Sequence, residues 1–253
     1  AWPAPRHARK MLVLAGCVQP ALAPSINAAA ARVLDRAGIS LIEARSQDGK
    51  AAGCCGAVRF HLNRHEAGRD DMRALIDAWW PYVEEQGVEA IVITASGCGA
   101  TVKDYAHLLA QDPAYRDKAA RISALARDLS EVVPLDFPQI RSHSRVAFQS
   151  PCTLQHGQQI HGRVEALLAR AGFQLTPVRD AHLCCGSAGA YSILLPAIAG
   201  ELRGRKLAAL QEGKPGLIAT ANIGCLAHLQ QESAVPVRHW IELVDEALGR
   251  RVT

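Results

Sequence analysis

Apolar residues fall into two rhythms along this chain. Short unbroken runs at 11–15, 39–43, 90–94, 146–149, 173–178 and 217–221 predict buried strands. Between them, apolar positions three and four apart predict helices over 25–37, 100–109, 162–171, 196–212 and 241–248. A longer amphipathic helix is expected after residue 56, with Met72, Leu75, Ile76, Trp79, Trp80 and Val83 on one face. Gly38 stands where a left-handed residue would close the first helix. Residues 112–143 form a bridge with one helix expected over 122–132, and Lys103, Asp104 and Tyr105 look like an exposed helix start. Strands separated by helices of this length imply parallel sheets with right-handed crossovers.

The pattern repeats. Met11-Leu12-Val13-Leu14-Ala15-Gly16-Cys17 matches the run from Arg145 to Cys152, and the segment from Ala31 to Gly38 matches that from Glu165 to Gly172. Ile91-Val92-Ile93-Thr94-Ala95-Ser96-Gly97-Cys98 likewise matches the run from Ile218 to Cys225. The chain therefore reads as an internal duplication. The expected fold is α/β: two similar Rossmann-like parallel-sheet halves, related by a pseudo-two-fold and packed face to face. The expected domains are 1–142, which includes a linker, and 143–253.

The repeat carries the cysteines with it. All 8 fall into two sets with one grammar. The first is Cys17, then Cys54-Cys55-Gly56, then Gly97-Cys98; the second is Cys152, then Cys184-Cys185-Gly186, then Gly224-Cys225. Single cysteines and adjacent pairs lie past the ends of strands, the edge where open α/β sheets assemble their sites. Thiolates gathered in fours point to metal, and most naturally to iron–sulfur clusters. Gly56, Gly97, Gly99, Gly186, Gly189 and Gly224 would let backbone N–H groups approach cluster sulfurs, or would simply make turns. His156, His182 and His228 each lie within four residues of a motif cysteine. Their readings are ligation, a hydrogen bond to a cluster sulfur, or plain packing. His239-Trp240 reads as core or interface.

Composition narrows the classes. With 253 residues, 49% of them hydrophobic and 21% charged, the chain can bury a core in each half. A formal charge of +4 with scattered basic residues and few aromatics argues against nucleic-acid binding. No run approaches the roughly 18 apolar residues of a membrane span. Adjacent cysteines are poor material for disulfides, and no secretion signal is present, so reduced thiolates and a cytoplasmic location are expected. No nucleophile–base pair, P-loop or Gly-x-Gly-x-x-Gly after a strand is visible, so no catalytic residue is assigned to this chain.

The phrases SGCGATVKDYAHLL, SPCTLQH, HLCCGSAGAYS and TANIGCLAHLQ, with GCVQPALAPSINAAAARVLDRAGISL and the closing VRHWIEL, closely resemble the iron–sulfur subunits of bacterial glycolate oxidase (glycolate dehydrogenase). More distant likenesses are to the Cys-Cys-Gly subunits of heterodisulfide reductase and of anaerobic glycerol-3-phosphate dehydrogenase, and to the lactate-utilisation iron–sulfur proteins. The resemblance implies an electron-transfer subunit with no glycolate site of its own. Flavin-containing glycolate oxidase subunits would be its partners, and electrons would pass singly toward the quinone pool. It further implies a peripheral seat, through the complex, on the inner face of the cytoplasmic membrane.

Two departures qualify this. No ferredoxin-like segment with paired Cys-x-x-Cys-x-x-Cys-x-x-x-Cys-Pro motifs is present, as a fragment would explain. The fifth cysteine of the heterodisulfide reductase motif is also missing, with Thr101 and His228 in its place. The expectation is therefore one four-thiolate [4Fe–4S] cluster per half, on Cys17, Cys54, Cys55 and Cys98 and on Cys152, Cys184, Cys185 and Cys225. Zinc or no metal in the second site stays open. The alternative function is a thiol- or disulfide-reducing enzyme of the heterodisulfide-reductase kind, with a structural zinc protein third.

Overall fold

The computed structural model describes residues 2–45, 53–137 and 144–249. The chain divides into two compact units, Ala1–Val133 and Pro134–Thr253; the expected boundary at residue 142 lies outside the described residues.

The first unit runs β1 (Arg9–Val13), α1 (Gln19–Leu22), α2 (Ser25–Arg36) and β2 (Ile39–Glu43), then α3 (Ala57–His61) and α4 (His65–Glu85). It continues with β3 (Ile91–Ile93), α5 (Ser96–Lys103), α6 (Tyr105–Leu108), α7 (Arg116–Leu125), β4 (Ala126–Asp128) and α8 (Leu129–Val132). The second unit holds β5 (Arg145–Gln149), a π-helical turn (Thr153–Gly157), α9 (Arg163–Arg170), β6 (Gln174–Leu175) and α10 (Tyr191–Leu194). It ends with α11 (Pro196–Gln211), β7 (Leu217–Thr220), α12 (Ile223–Gln230), β8 (Val237–His239) and α13 (Trp240–Gly249).

Both sheets are wholly parallel and share one strand order, β2-β1-β3-β4 and β6-β5-β7-β8. Identical order in both units is the signature of a duplicated α/β half. Central strands in such sheets are covered on both faces, which is why β3 and β7 read as continuous apolar runs. Leu12, Ile91 and Ile93 of the first sheet are fully or almost fully buried, as are Ala147 and Ile218 of the second. In α4 the apolar stripe Met72, Leu75, Ile76 and Trp79 is buried against the sheet, as its spacing required. α2 ends at Arg36 and Gly38 takes φ 77°, the left-handed geometry expected after a helix.

Three expectations need correction. The helix read over 122–132 is broken: α7 stops at Leu125, Ala126 turns extended (φ −65°, ψ 128°), and β4 and α8 follow. Ile122, Leu125 and Leu129 have helical spacing, but they are buried from two different helices. The helix read over 100–109 is likewise two pieces, α5 and α6, parted at Asp104. Finally, the strand expected over 173–178 pairs only at Gln174 and Leu175, as a short sheet edge.

Asp128 explains the break. Its carboxylate accepts hydrogen bonds from the Ser130 N–H (2.9 Å) and hydroxyl (2.6 Å), while Glu131 accepts from the Asp128 N–H (2.8 Å). This capping box starts α8 afresh. Asp128 is 2% exposed, and that burial pushes its carboxyl from 3.8 up to about 6. A carboxyl that holds its proton more tightly folded than unfolded stabilises the fold fully below about pH 4. That contribution is lost as pH rises through 6. Asp128→Asn keeps an acceptor for Ser130 and removes the titration. We expect it to abolish roughly 2 kcal/mol of the stability change between pH 4 and 6.5, read as urea midpoints at the two pH values; an unaltered pH slope would show the burial is not felt.

Candidate metal centre

The cysteine-bearing segments leave the two sheets at equivalent points. Cys17 follows β1 after left-handed Gly16 (φ 84°), and Cys152 follows β5 as the N-cap of the π-helical turn. Cys98 and Cys225 lie in the first turns of α5 and α12, just past β3 and β7. The adjacent pairs follow β2 and β6, which are edge strands in space although second in sequence within each half. Carboxyl ends of parallel strands thus deliver all four segments to one side of each sheet.

All eight cysteines are free thiols. In the first unit Cys17, Cys54, Cys55 and Cys98 lie near enough to one another to shift each other's ionisation. The second unit repeats this, with Cys152, Cys184, Cys185 and Cys225 as near to one another. The Gly56 N–H points at the Cys54 sulfur at 3.4 Å, and the Gly186 N–H at the Cys184 sulfur at 3.3 Å. The neighbouring cysteines hold Cys54 and Cys184 well below the ordinary thiol range and push Cys17, Cys55, Cys152 and Cys185 up. Cys55, Cys185 and Cys225 are buried, whereas Cys17 is exposed. Each pair's second cysteine belongs to the apolar core of its unit. Among the described residues, no three His, Cys, Asp or Glu side chains close around one point to hold a single metal ion. An all-thiol donor set with backbone N–H groups directed at sulfur is the donor chemistry of an iron–sulfur cluster.

A single close approach sets each loop. Gly56 (φ 81°) lies against α4 so tightly that a Cβ would stand 2.4 Å from the Gly68 carbonyl oxygen. Gly186 (φ 91°) lies against α11 with a Cβ position 2.4 Å from the Ala199 carbonyl oxygen. Only glycine fits both the conformation and the gap.

Buried polar groups, which no motif in the sequence singles out, tie the remaining loops together. Gln19 donates to Asn27 (2.6 Å) and Thr94 (2.7 Å), and Asn27 donates to the Leu14 (3.3 Å) and Ala15 (3.2 Å) carbonyls. The Cys17 turn is thereby fixed to the end of β3. In the second unit Thr220 donates to Gln149 (2.6 Å), and Gln155 donates to the Ser150 (3.0 Å) and Ala181 (3.2 Å) carbonyls.

Tyr105 is a correction. It is fully buried, not an exposed helix start, and its hydroxyl donates to the Cys55 carbonyl oxygen at 2.9 Å. Burial first, then the nearby cysteines, raises its hydroxyl well above the ordinary value. Lys206 of α11 is a site residue that the sequence motifs do not include. It is 2% exposed, and its ammonium donates to the Ala181 (2.8 Å) and Asp180 (3.4 Å) carbonyls while sensing the charge of all four cysteines of its unit. Burial pushes Lys206 down from its ordinary value, and the thiols opposite push it back up. The cation of the first unit is different: Arg59 is exposed and paired with Asp71 at 3.0 Å.

Two of the three histidines near the motifs direct their rings at backbone. His156 Nε2 meets the His182 carbonyl at 3.2 Å, and buried His228 Nε2 meets the Ala199 carbonyl at 3.3 Å. His182 enters this arrangement through its carbonyl. His239 and Trp240 are buried, as core residues would be.

Two parallel α/β units, each with a Cys, Cys-Cys-Gly, Gly-Cys set at one sheet edge, define a duplicated cysteine-rich protein. The family model described as CCG, Cysteine-rich domain, matches residues 11–103 and 146–230, and the chain belongs to this family. The chain is 53% identical, over 97% of its length, to the "Glycolate oxidase iron-sulfur subunit" of Escherichia coli (strain K12), covering 60% of that protein. It is 28% identical, over 97% of its length, to the "Probable glycolate oxidase iron-sulfur subunit" of Bacillus subtilis (strain 168), covering 56% of it. The chain thus spans somewhat over half the length of these relatives. Among solved structures, a hypothetical protein from Helicobacter pylori matches 98% of this chain and 51% of its own, with a TM-score of 0.61 at 10% identity. That likeness is one of fold.

Two outcomes follow from the geometry. Gly56→Ala and Gly186→Ala each force a methyl group into a helix carbonyl at positive φ, and each is expected to destabilise its unit by at least about 2 kcal/mol, measured by urea unfolding. Wild-type midpoints would mean the loops are not held this way. Tyr105→Phe leaves the Cys55 carbonyl without that donor and should cost about 1–3 kcal/mol in the same assay, with no loss if water replaces the hydroxyl.

Proposed function

We propose that this chain is the cluster-bearing, electron-relaying part of a glycolate (2-hydroxy-acid) dehydrogenase. What supports the reading is that the segments carrying Cys17, Cys54, Cys55 and Cys98, and those carrying Cys152, Cys184, Cys185 and Cys225, leave the carboxyl edge of their own sheet. The names of the Escherichia coli and Bacillus subtilis relatives support the assignment to glycolate oxidation. In this reading each set of four thiolates holds one iron–sulfur cluster, of [4Fe–4S] type by ligand number. Such a cluster supplies reversible one-electron storage, and nothing else is asked of it.

The chain's own residues do the rest. Cys55 and Cys185 bind from inside the core, where water does not reach them. The Gly56 and Gly186 N–H groups orient Cys54 and Cys184 and favour their thiolate forms. Tyr105 fixes the backbone at Cys55, and the Gln19–Asn27–Thr94 group fixes the Cys17 turn.

No flavin, nicotinamide or hydroxy-acid site has been assigned to this chain. Oxidation of glycolate is therefore placed on flavin-containing partner subunits, and the quinone pool is reached only indirectly. The reading seats the chain in the cytoplasm, peripherally on the inner face of the membrane, through those partners. No helix of the described residues is long and apolar enough to cross a membrane. The heterodisulfide-reductase alternative draws no support from positions 101 and 228, which carry Thr and His where a fifth cysteine would be needed.

Replacing Cys185 with serine tests the reading. Serine keeps the size but offers a harder and far less acidic ligand. The variant complex should lose glycolate-dependent quinone reduction while the partner's flavin is still reduced by glycolate, seen as bleaching of its absorbance. Undiminished quinone reduction in Cys185→Ser, or glycolate-dependent dye reduction by this polypeptide alone, would overturn it.

A further inference from the structure

The two units share a backbone plan but not a charge plan, and one position separates them. Gly56 rests on the Gly68 carbonyl of α4, and Gly186 rests on the Ala199 carbonyl of α11. Counting seven residues along each helix from these equivalent contacts gives Leu75 and Lys206. The register continues toward the C-termini of the helices, since Ile76 and Trp79 of α4 then correspond to Leu207 and Leu210 of α11, all four buried. Leu75 is 2% exposed and belongs to the apolar core of its unit; Lys206, equally buried, puts an ammonium group there.

Among the described residues that ammonium has no carboxylate partner within ion-pair distance. Its hydrogen bonds go to the Ala181 and Asp180 carbonyls, a few residues before Cys184 in the loop that carries the cysteine pair. Gln155, from the turn that follows Cys152, donates to the same Ala181 carbonyl and so braces the loop from the other side. The cation beside the cysteines of the first unit, Arg59, is solvent-exposed and cancelled by Asp71. A positive charge in a low-dielectric surrounding stabilises the more negative, reduced form of an iron–sulfur cluster, and net charge around the cluster is one of the terms that set its potential.

We infer that Lys206 is a potential-setting residue: its buried ammonium raises the reduction potential of the cluster held by Cys152, Cys184, Cys185 and Cys225 and makes that cluster the more easily reduced of the two. The inference rests on the cluster assignment proposed above. An electron arriving on the protein then resides preferentially on the second unit, with no proton or bond change required.

The test is a redox titration of the natively purified full-length protein, followed by electron paramagnetic resonance. Wild type is compared with Lys206→Met, Lys206→Arg and Lys206→Gln. The signal of the second unit is identified by its loss in Cys185→Ser, and iron and acid-labile sulfide are measured in every sample. Lys206→Met removes the charge at similar volume. It should lower the second potential enough to change the reduced-to-oxidised ratio at fixed potential at least tenfold, about 59 mV for a one-electron couple. The first unit's potential should stay in place, and Lys206→Arg should restore the second. If Lys206→Met fails to hold its cluster, Lys206→Gln, which keeps a donor for Ala181 without the charge, carries the measurement. A fully loaded neutral variant with an unmoved second potential would overturn the inference, as would an arginine variant that shifts as far as the neutral ones. Wild-type protein with no iron and sulfide bound by the second unit would instead remove the cluster assignment, and the inference with it.

Discussion

Everything at the two centres depends on a glycine pressed against a helix backbone. Gly56 and Gly186 leave no room for a side chain between their loops and the carbonyl oxygens of Gly68 and Ala199. The contact sets where a Cys-Cys pair leaves the sheet edge, and with it the direction of the two sulfurs. One sulfur of each pair turns into the core and the other stays at the rim, receiving the glycine N–H. A loop without such an anchor would lose rigidity where the proposed cluster ligands must be matched, and preorganised donors are what a cluster site requires. The long helices α4 and α11 are therefore part of the sites, even though they contribute no cysteine.

Much of this is legible in the amino-acid sequence. Continuous apolar runs mark β1, β2, β3, β5 and β7, because a parallel strand covered on both faces has no polar side to interrupt it. The repeated cysteine grammar marks the segments that each sheet delivers to its carboxyl edge. What the sequence conceals lacks periodicity or is brought together from far apart. β4 (Ala-Arg-Asp) and β8 (Val-Arg-His) are three-residue strands with a charged residue in the middle, too short to show a period of two. Tyr105 has the charged neighbours Lys103 and Asp104, which suggest a solvated turn, yet it turns inward to meet Cys55, 50 residues away. Lys206 leaves no such trace in the sequence. That it stands where the other unit carries Leu75 becomes visible only once the Gly56–Gly68 and Gly186–Ala199 contacts set the register.

The polar groups that brace the two centres show how a duplicated fold diverges. In the first unit Gln19, Asn27 and Thr94 join the Cys17 turn to the end of β3. In the second, Gln149 with Thr220 and Gln155 with Ala181 perform the equivalent joining through different residues. Buried polar groups must be satisfied but need not be satisfied by the same partners. The backbone route of the cysteines is thus common to both units, and the hydrogen bonds that hold it are local solutions.

The thiols themselves argue for a multiply charged positive guest. Four neighbouring sulfurs, some of them buried in the core, cannot all ionise without strong mutual repulsion. Their mutual influence holds Cys54 and Cys184 down while Cys17, Cys55, Cys152 and Cys185 are pushed toward the protonated form. The first unit offers little to relieve this, since Arg59 is drawn away to Asp71 and Asp71 is itself pushed up, by burial first and by Cys54 second. The second unit relieves part of it with one buried ammonium, at the cost of desolvating Lys206. A cluster that meets every sulfur at once, as proposed for each unit, would relieve the repulsion without protonating the thiols. In the proposed reading, the protein's own charges would then decide how strongly each such cluster holds an added electron.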